Sequence, residues 1–246
     1  MDSGFYAACT ALVARTQALD SIANNLANAN TTGFRAEHNQ FKSILATASS
    51  TGSSPLNLAV NNYAVMGGTH LNLQSGSLNT TGNDLDLAIN GSGFFTVQTA
   101  AGQMYTRAGN FRLSSTGQLV TQAGDAVLGE NGPINVSGGK AYVGSDGTVS
   151  VDGAVVDRIK VVDFSDTSQL AAAGKSYYSA PEGSATAAAD ATVKQGVLED
   201  SNVDPVSSAV ELINVQRQAE MMQRALSFFN NDLNKTATED LPRVNS

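Results

Sequence analysis

The sequence predicts an α+β protein: discontinuous N- and C-terminal helices form a coiled-coil-like core, with an antiparallel β domain inserted between them. Three observations carry this. Phe5, Leu12, Leu19 and Leu26 recur every seven residues near the start of the chain. Leu212, Val215, Ala219, Met222, Leu226, Phe229 and Leu233 alternate in steps of three and four near its end. Between them, from Thr80 onward, the apolar period drops to two and Gly-containing turns punctuate it. A seven-residue period keeps one apolar seam on one side of a helix, whereas a period of two belongs to a strand.

The first helix is predicted from Ser3 to Ala29. Ala8, Cys9, Ile22 and Ala23 widen its seam, and neither Gly nor Pro interrupts it between Phe5 and Asn30. At 1.5 Å per residue such a rod is about 40 Å long, so its seam needs a partner. The C-terminal helix supplies one. Asp204-Pro205 opens that helix, Asp capping free N–H groups and Pro fitting the first helical position. The same spacing also fits two amphipathic helices lying on a globular core, because three or four heptads sit at the lower limit of a coiled-coil signal.

Asn28 to Phe34 is rich in Asn, Thr and Gly and should end the first helix near Asn30. Arg35 to Leu45 regains helical or extended character, and Ala46 to Ser54 is a Ser/Thr/Ala linker closed by Pro55. In the β region, Leu85, Leu87 and Ile89 alternate with Asp84, Asp86 and Ala88, as in a half-buried strand. Asn90 to Gly93 reads as a hairpin turn. Phe94–Gln98, Tyr105–Arg107, Phe111–Leu113 and Leu119–Thr121 are further strands, and the pattern continues through Val161 and Phe164. Gln169 to Lys194 is rich in Ala, Ser and Gly and reads as loop or short edge strand. The predicted domains are therefore 1–34 with 204–246 (helical), 35–79 with 167–203 (extended connectors) and 80–166 (β).

Composition narrows the function classes. A net charge of −8 over 246 residues disfavours nucleic acid and anionic membrane surfaces, which need a basic face. No stretch approaches the ~18 apolar residues of a membrane helix. The N-terminus lacks the basic region, apolar run and small-residue site of a cleaved secretory signal. Cys9 is the single cysteine and reads as a small apolar residue on the seam.

Chemistry is hard to place. His38 and His70 lie in different segments, without metal-ligand partners at helical or hairpin spacing. Gly91-Ser92-Gly93 lacks the outer glycines of a nucleophile elbow, and Thr96 stands where a dinucleotide loop needs its third glycine. Alternation puts both Asp84 and Asp86 on the solvent face, with no third oxygen-rich position for calcium. An enzyme is not expected, nor a cofactor, a metal site or a small-molecule substrate.

Three separated segments carry a resemblance. They are Leu19-Asp20-Ser21-Ile22-Ala23-Asn24-Asn25-Leu26-Ala27-Asn28-Ala29-Asn30-Thr31-Thr32-Gly33-Phe34, then Thr81 to Phe95 with Tyr105 to Phe111, then Gln195 to Val206. Leu212-Ile213, Gln216-Arg217 and the closing Leu241-Pro242-Arg243-Val244 extend the last of them. In that order they resemble the bacterial flagellar rod and hook proteins. The chain's shortness implies a rod subunit, and Met1-Asp2-Ser3-Gly4-Phe5-Tyr6 is similar to the proximal-rod branch more than to the distal one. A distal-rod or hook-type subunit is the alternative, and a secreted adhesin with terminal coiled coils is a competing class.

The resemblance implies a non-catalytic subunit that leaves the cell unfolded through the flagellar type III export apparatus. It then assembles helically in the periplasmic rod with copies of itself and other rod proteins, and transmits torque from motor to hook. The implied assembly surface is Phe5, Leu12, Leu19, Ile22, Asn24, Asn25, Leu26, Leu212, Val215, Met222, Leu226, Phe229 and Leu233. Asn24 and Asn25, beside the seam, would fix register through amide hydrogen bonds. Asn28, Gly33 and Phe34 form the motif turn: Gly33 supplies a backbone conformation closed to other residues, and Phe34 anchors the exit.

Overall fold

A computed structural model describes residues 3–43, 64–136 and 138–235. The fold is α+β: the described residues hold two long α-helices and a mostly antiparallel β architecture. The chain divides into two compact units, residues 1–26, 37–70 and 205–246 in one and residues 27–36 and 71–204 in the other.

The first unit holds helix α1 (Ser3–Ala27), helix α2 (Pro205–Lys235) and the paired strands β1 (Glu37–Ser43) and β2 (Ala64–Leu71), the last residue of α1 and of β2 counting with the second unit. The helix start at Pro205 fits a residue whose missing N–H costs nothing at the first helical position. On α1 the buried line is Ala11, Ala14, Ala18 and Ile22, and Leu12, Leu19 and Leu26 flank it half-buried. Ala18, Ile22 and Val215 form a cluster that Leu19 and Leu212 cover. Cys9 is half-buried on α1. The linker expected from Ala46 to Ser54 lies outside the described residues.

The second unit is built on strands. β5 (Phe94–Thr99) lies at the centre of a nine-stranded sheet, pairing with β6 (Gly102–Thr106), β9 (Ala126–Val127) and β13 (Val161–Phe164). Beyond β9 come β8 (Leu119–Val120) and β7 (Arg112–Leu113); beyond β6 come β15 (Tyr177–Ser179) and β14 (Ala171–Gly174). β16 (Ala185–Ala187) pairs with β13. A three-stranded sheet contains β10 (Ala141–Val143), β11 (Thr148–Val151) and β12 (Ala154–Arg158). Two strand pairs complete the unit, β4 (Leu87–Asn90) with β17 (Thr192–Gln195) and β3 (Leu78–Thr80) with β18 (Val197–Glu199).

Phe94 and Phe95 show why this core is thick. Successive strand residues face opposite ways, and here both sides are covered. Phe95 joins the main cluster with Leu87, Ile89, Val97, Phe111 and Val149. Phe94 joins a second cluster with Tyr105, Val162, Phe164 and Tyr178.

Three expectations change. Asp86 is buried, not solvent-facing: Oδ2 accepts from Thr81 Oγ1 at 2.6 Å and Oδ1 from Asn83 Nδ2 at 3.1 Å. The strand begins at Leu87, two residues after Leu85, and Leu87, Ala88 and Ile89 are all buried, so β4 has two covered faces. Asn90 to Gly93 is not a hairpin turn, because β4 pairs with β17 while β5 pairs elsewhere; the segment carries the chain from one sheet to another. Gln169 to Lys194 holds the short edge strands expected of it, β14 and β16, but also β15, which is paired on both sides, and most of β17, and it buries Tyr177, Tyr178 and Val193.

The β14–β15 hairpin turns on Lys175 and Ser176, both left-handed with φ of 54° and 57°. Two-residue turns of this kind favour Asn-Gly, and an ordinary side chain there costs roughly 1–2 kcal/mol per residue. Replacing Lys175-Ser176 by Asn-Gly should therefore raise stability by about 1 kcal/mol. The check is a higher urea midpoint at unchanged slope.

Candidate functional site

Two features organise the polar and apolar chemistry of this chain. One is a buried charge clamp in the second unit. Glu199, Arg35 and Arg107 are 0%, 1% and 3% exposed. Arg35 Nη2 donates to Glu199 Oε1 at 2.7 Å, and Arg107 Nη1 donates to Oε2 at 3.1 Å. Gly76 N also donates to Oε1, at 2.9 Å. Arg107 reaches further, to the carbonyls of Ile89 and Gly91, and its guanidinium lies 5.6 Å from the Phe94 ring centre. Burial lowers the Arg107 pKa, while the Glu199 carboxylate pulls it back up and Arg35 pushes it down again.

Two guanidiniums share one carboxylate, so the clamp encloses an excess positive charge. Among the described residues Arg35 Nε and Nη1 and Arg107 Nε find no hydrogen-bond partner. Burying charge is tolerable only when it is paired, which makes Glu199 the residue on which the arrangement depends.

Backbone contacts surround the clamp. Gly33 N donates to Glu199 O at 2.7 Å, and Asn202 N to Phe34 O at 3.3 Å. Asn202 Oδ1 accepts from Ala36 N at 2.7 Å, and its Nδ2 donates to the carbonyls of Asn72 and Gln74, each at 2.8 Å. Phe34, Ala36 and Val203 cover this network with a small apolar cluster. The segments around 34, 72, 107 and 200 are thus tied into one knot.

The other feature belongs to the helical unit. Val215 and Ala219 of α2 are buried, but Val206, Val210, Ile213, Met221 and Phe228 are exposed by 73, 54, 49, 61 and 69%. At about 100° per residue these five fall within a sector of about 80°, opposite the buried line. Asn25 of α1 is buried, and its amide brackets Glu37, donating to the carbonyl at 2.8 Å and accepting from the N–H at 2.9 Å.

The predicted residues are placed as follows. Ile22, Asn25, Val215, Gly33 and Phe34 are buried; Leu12, Leu19, Leu26, Leu212, Met222, Leu226 and Asn28 are half-buried; Asn24 is exposed. The side chains of Phe5, Phe229 and Leu233 lie outside the described residues. His38 and His70 sit, both exposed, on β1 and β2. Among the described residues no group of three His, Cys, Asp or Glu could hold a metal, and no helix is long and apolar enough to cross a membrane. Sequence reasoning assigned no role to Arg35, Arg107, Glu199 or Asn202, although all four stand within or beside the quoted motifs. Charges embedded in otherwise apolar and small-residue segments were the available signal.

Comparison with known proteins adds the class. Residues 5–35 match the family model described as flagella basal body rod protein. Residues 88–154 match the flagellar hook protein FlgE/F/G D1 domain, and 194–238 the flagellar basal body rod FlgEFG protein C-terminal region. The chain is thus a structural subunit of the axial rod-and-hook class. It is 38% identical to the flagellar basal-body rod protein FlgF of Caulobacter vibrioides, with 100% of both chains covered. It is 35% identical to FlgF of Mesorhizobium japonicum over 89% of this chain and 90% of that one. Against FlgG of Bacillus subtilis the identity is 37%, covering 81% and 84%. The chain belongs to the flagellar basal-body rod protein family, a family of structural proteins of the motility apparatus.

Proposed function

We propose that this rod subunit assembles helically through its two terminal helices, against copies of itself and neighbouring rod proteins, and so helps transmit torque from motor to hook. The helices act as a discontinuous coiled-coil-like core, and the β domain is an insertion in the chain between them. Similarity over the full length of FlgF of Caulobacter vibrioides favours a place in the proximal rod. Export unfolded through the type III apparatus accompanies this reading.

The observation that carries it is the second apolar line on α2. Val206 to Phe228 spans about 33 Å of helix, long enough for a continuous contact with a neighbour's helix. The line lies opposite the buried Val215 and Ala219, of which Val215 packs with Ala18 and Ile22 of α1. Seams of this kind stiffen a tube because dispersion contacts add along its length. The wider proposed surface adds Phe5, Leu12, Leu19, Asn24, Leu26, Leu212, Met222, Leu226, Phe229 and Leu233, while Ile22, Asn25 and Val215 are buried by contacts within the chain and support that surface from beneath.

Ile213→Asp tests the reading. Ile213 is half exposed, so the unfolding midpoint of the isolated chain should stay nearly constant. In cells carrying the variant as the single copy, the chain should disappear from purified basal bodies and swimming should stop. Normal incorporation would sink the proposal.

A further inference from the structure

The exposed line of α2 is apolar except for two charges of one sign. At about 100° per residue, Arg217 and Arg224 fall within the sector that Val210, Ile213, Met221 and Phe228 mark out, and both are exposed. Arg217 stands two residues from each of the buried Val215 and Ala219, about 160° around the helix from both. On α1 the same geometry recurs with the opposite sign. Asp20 is exposed and stands two residues from each of the buried Ala18 and Ile22, so it too faces away from the contact between the helices. The other charged residue of α1, Arg15, is half-buried about 140° around the helix from it.

Partners for such charges usually sit three or four residues away on the same helix. None does so here: among the described residues Asp20, Arg217 and Arg224 take part in no ion pair. Glu220 stands three residues from Arg217 and four from Arg224 but pairs with neither, and its carboxylate accepts from Gln216 Nε2 at 3.5 Å.

We infer that the outward face of α2 packs on the outward face of α1 of a second copy of this chain, with that copy's Asp20 held between Arg217 and Arg224. Spacing and charge both select this occupant. Arg217 and Arg224 are seven residues apart, so a carboxylate midway lies about 5 Å along the axis from each, within reach of both guanidiniums. With Asp20 there, Val13, seven residues before it and 55% exposed, comes level with Ile213 if the helices run parallel and with Phe228 if they run antiparallel. Pairing α2 with α2 about the same point would set arginine against arginine, and α1 with α1 would set Asp20 against Asp20; like charges disfavour both. A contact between two different faces is heterologous, and such contacts build helical filaments where they do not close into rings. The inference rests on the rod-subunit reading and names which helix meets which.

An exchange of charge tests it, in cells carrying each variant as the single copy. Asp20→Arg alone, or Arg217→Glu together with Arg224→Glu, should lower the amount of this chain in purified basal bodies by roughly tenfold or more. The triple variant Asp20→Arg, Arg217→Glu, Arg224→Glu should restore it, because each face again meets the opposite sign. All three positions are exposed, so the urea midpoints of the isolated chains should match that of the wild type, and rescue by the triple variant separates lost contact from lost folding. Normal incorporation of either reversal, or reversals that the triple variant does not rescue, overturns the inference: the arginines then meet no carboxylate, or one on a different rod protein. Either outcome leaves the rod reading standing. Absence of the wild-type chain from basal bodies overturns both.

Discussion

Glu199→Gln is expected to cost about 4 kcal/mol, a large part of the stability of an ordinary domain. The substitution keeps the shape and removes the charge. Oε1 now accepts from Arg35 and Gly76 while Oε2 accepts from Arg107. A glutamine offers one acceptor oxygen, and its NH₂ must then face a guanidinium or a backbone N–H, donor against donor. Two like charges remain in a space closed to water, with their desolvation no longer offset. Arg107 keeps its contacts to the Ile89 and Gly91 carbonyls, so the stranded charge is chiefly that of Arg35. Arg35→Met in the Glu199→Gln background should therefore recover part of the loss. A double-mutant cycle followed by tyrosine fluorescence in urea measures this. A loss under about 1 kcal/mol for Glu199→Gln would mean that the clamp is not held by charge.

How much of this was legible depends on whether a signal is local. The two helices could be read from spacing, because the period of a helix is written in neighbouring residues. Their burial was less legible. The large residues Leu12, Leu19 and Leu26 draw the eye, but the apolar residues that the fold buries on α1 are Ala11, Ala14 and Ala18 together with Ile22, and only Ile22 was picked out from the sequence. The strands from Phe94 to Phe164 were visible for the same reason as the helices. Between Ala171 and Gln195 only short edge strands could be expected, since Ala, Gly and Ser carry little alternation; the adjacent Tyr177 and Tyr178 were the overlooked sign of the internal strand β15. The clamp was invisible to any window. Arg35 and Glu199 are 164 positions apart, and Arg107 and Glu199 are 92 apart. A lone charge reads as solvent-facing until topology brings its partner to it.

Gly33→Ala should cost roughly 3–4 kcal/mol, by a route that ends in the same clamp. Gly33 has φ of +66°, which disfavours any Cβ, and the space is taken as well. An added Cβ would lie 2.3 Å from Ala108 N and 2.3 Å from Arg107 C. Those are backbone atoms, so no side chain can swing aside. Residues 31–35 would have to withdraw from 107–108, stretching the 2.7 Å bond from Gly33 N to Glu199 O and drawing Arg35 off its carboxylate. Gly82→Ala separates the two causes. Gly82 also has positive φ, +74°, but nothing lies within 4 Å of its Cβ position, so only the backbone cost of about 1–2 kcal/mol should appear. If Gly33→Ala costs no more than Gly82→Ala, close packing of the motif turn on the central motif contributes nothing. If it costs more, and Gly33→Ala with Glu199→Gln costs less than the sum of the two, both act through one structure. That subadditivity would show that the family's three motif segments lie together because each closes the same buried charge.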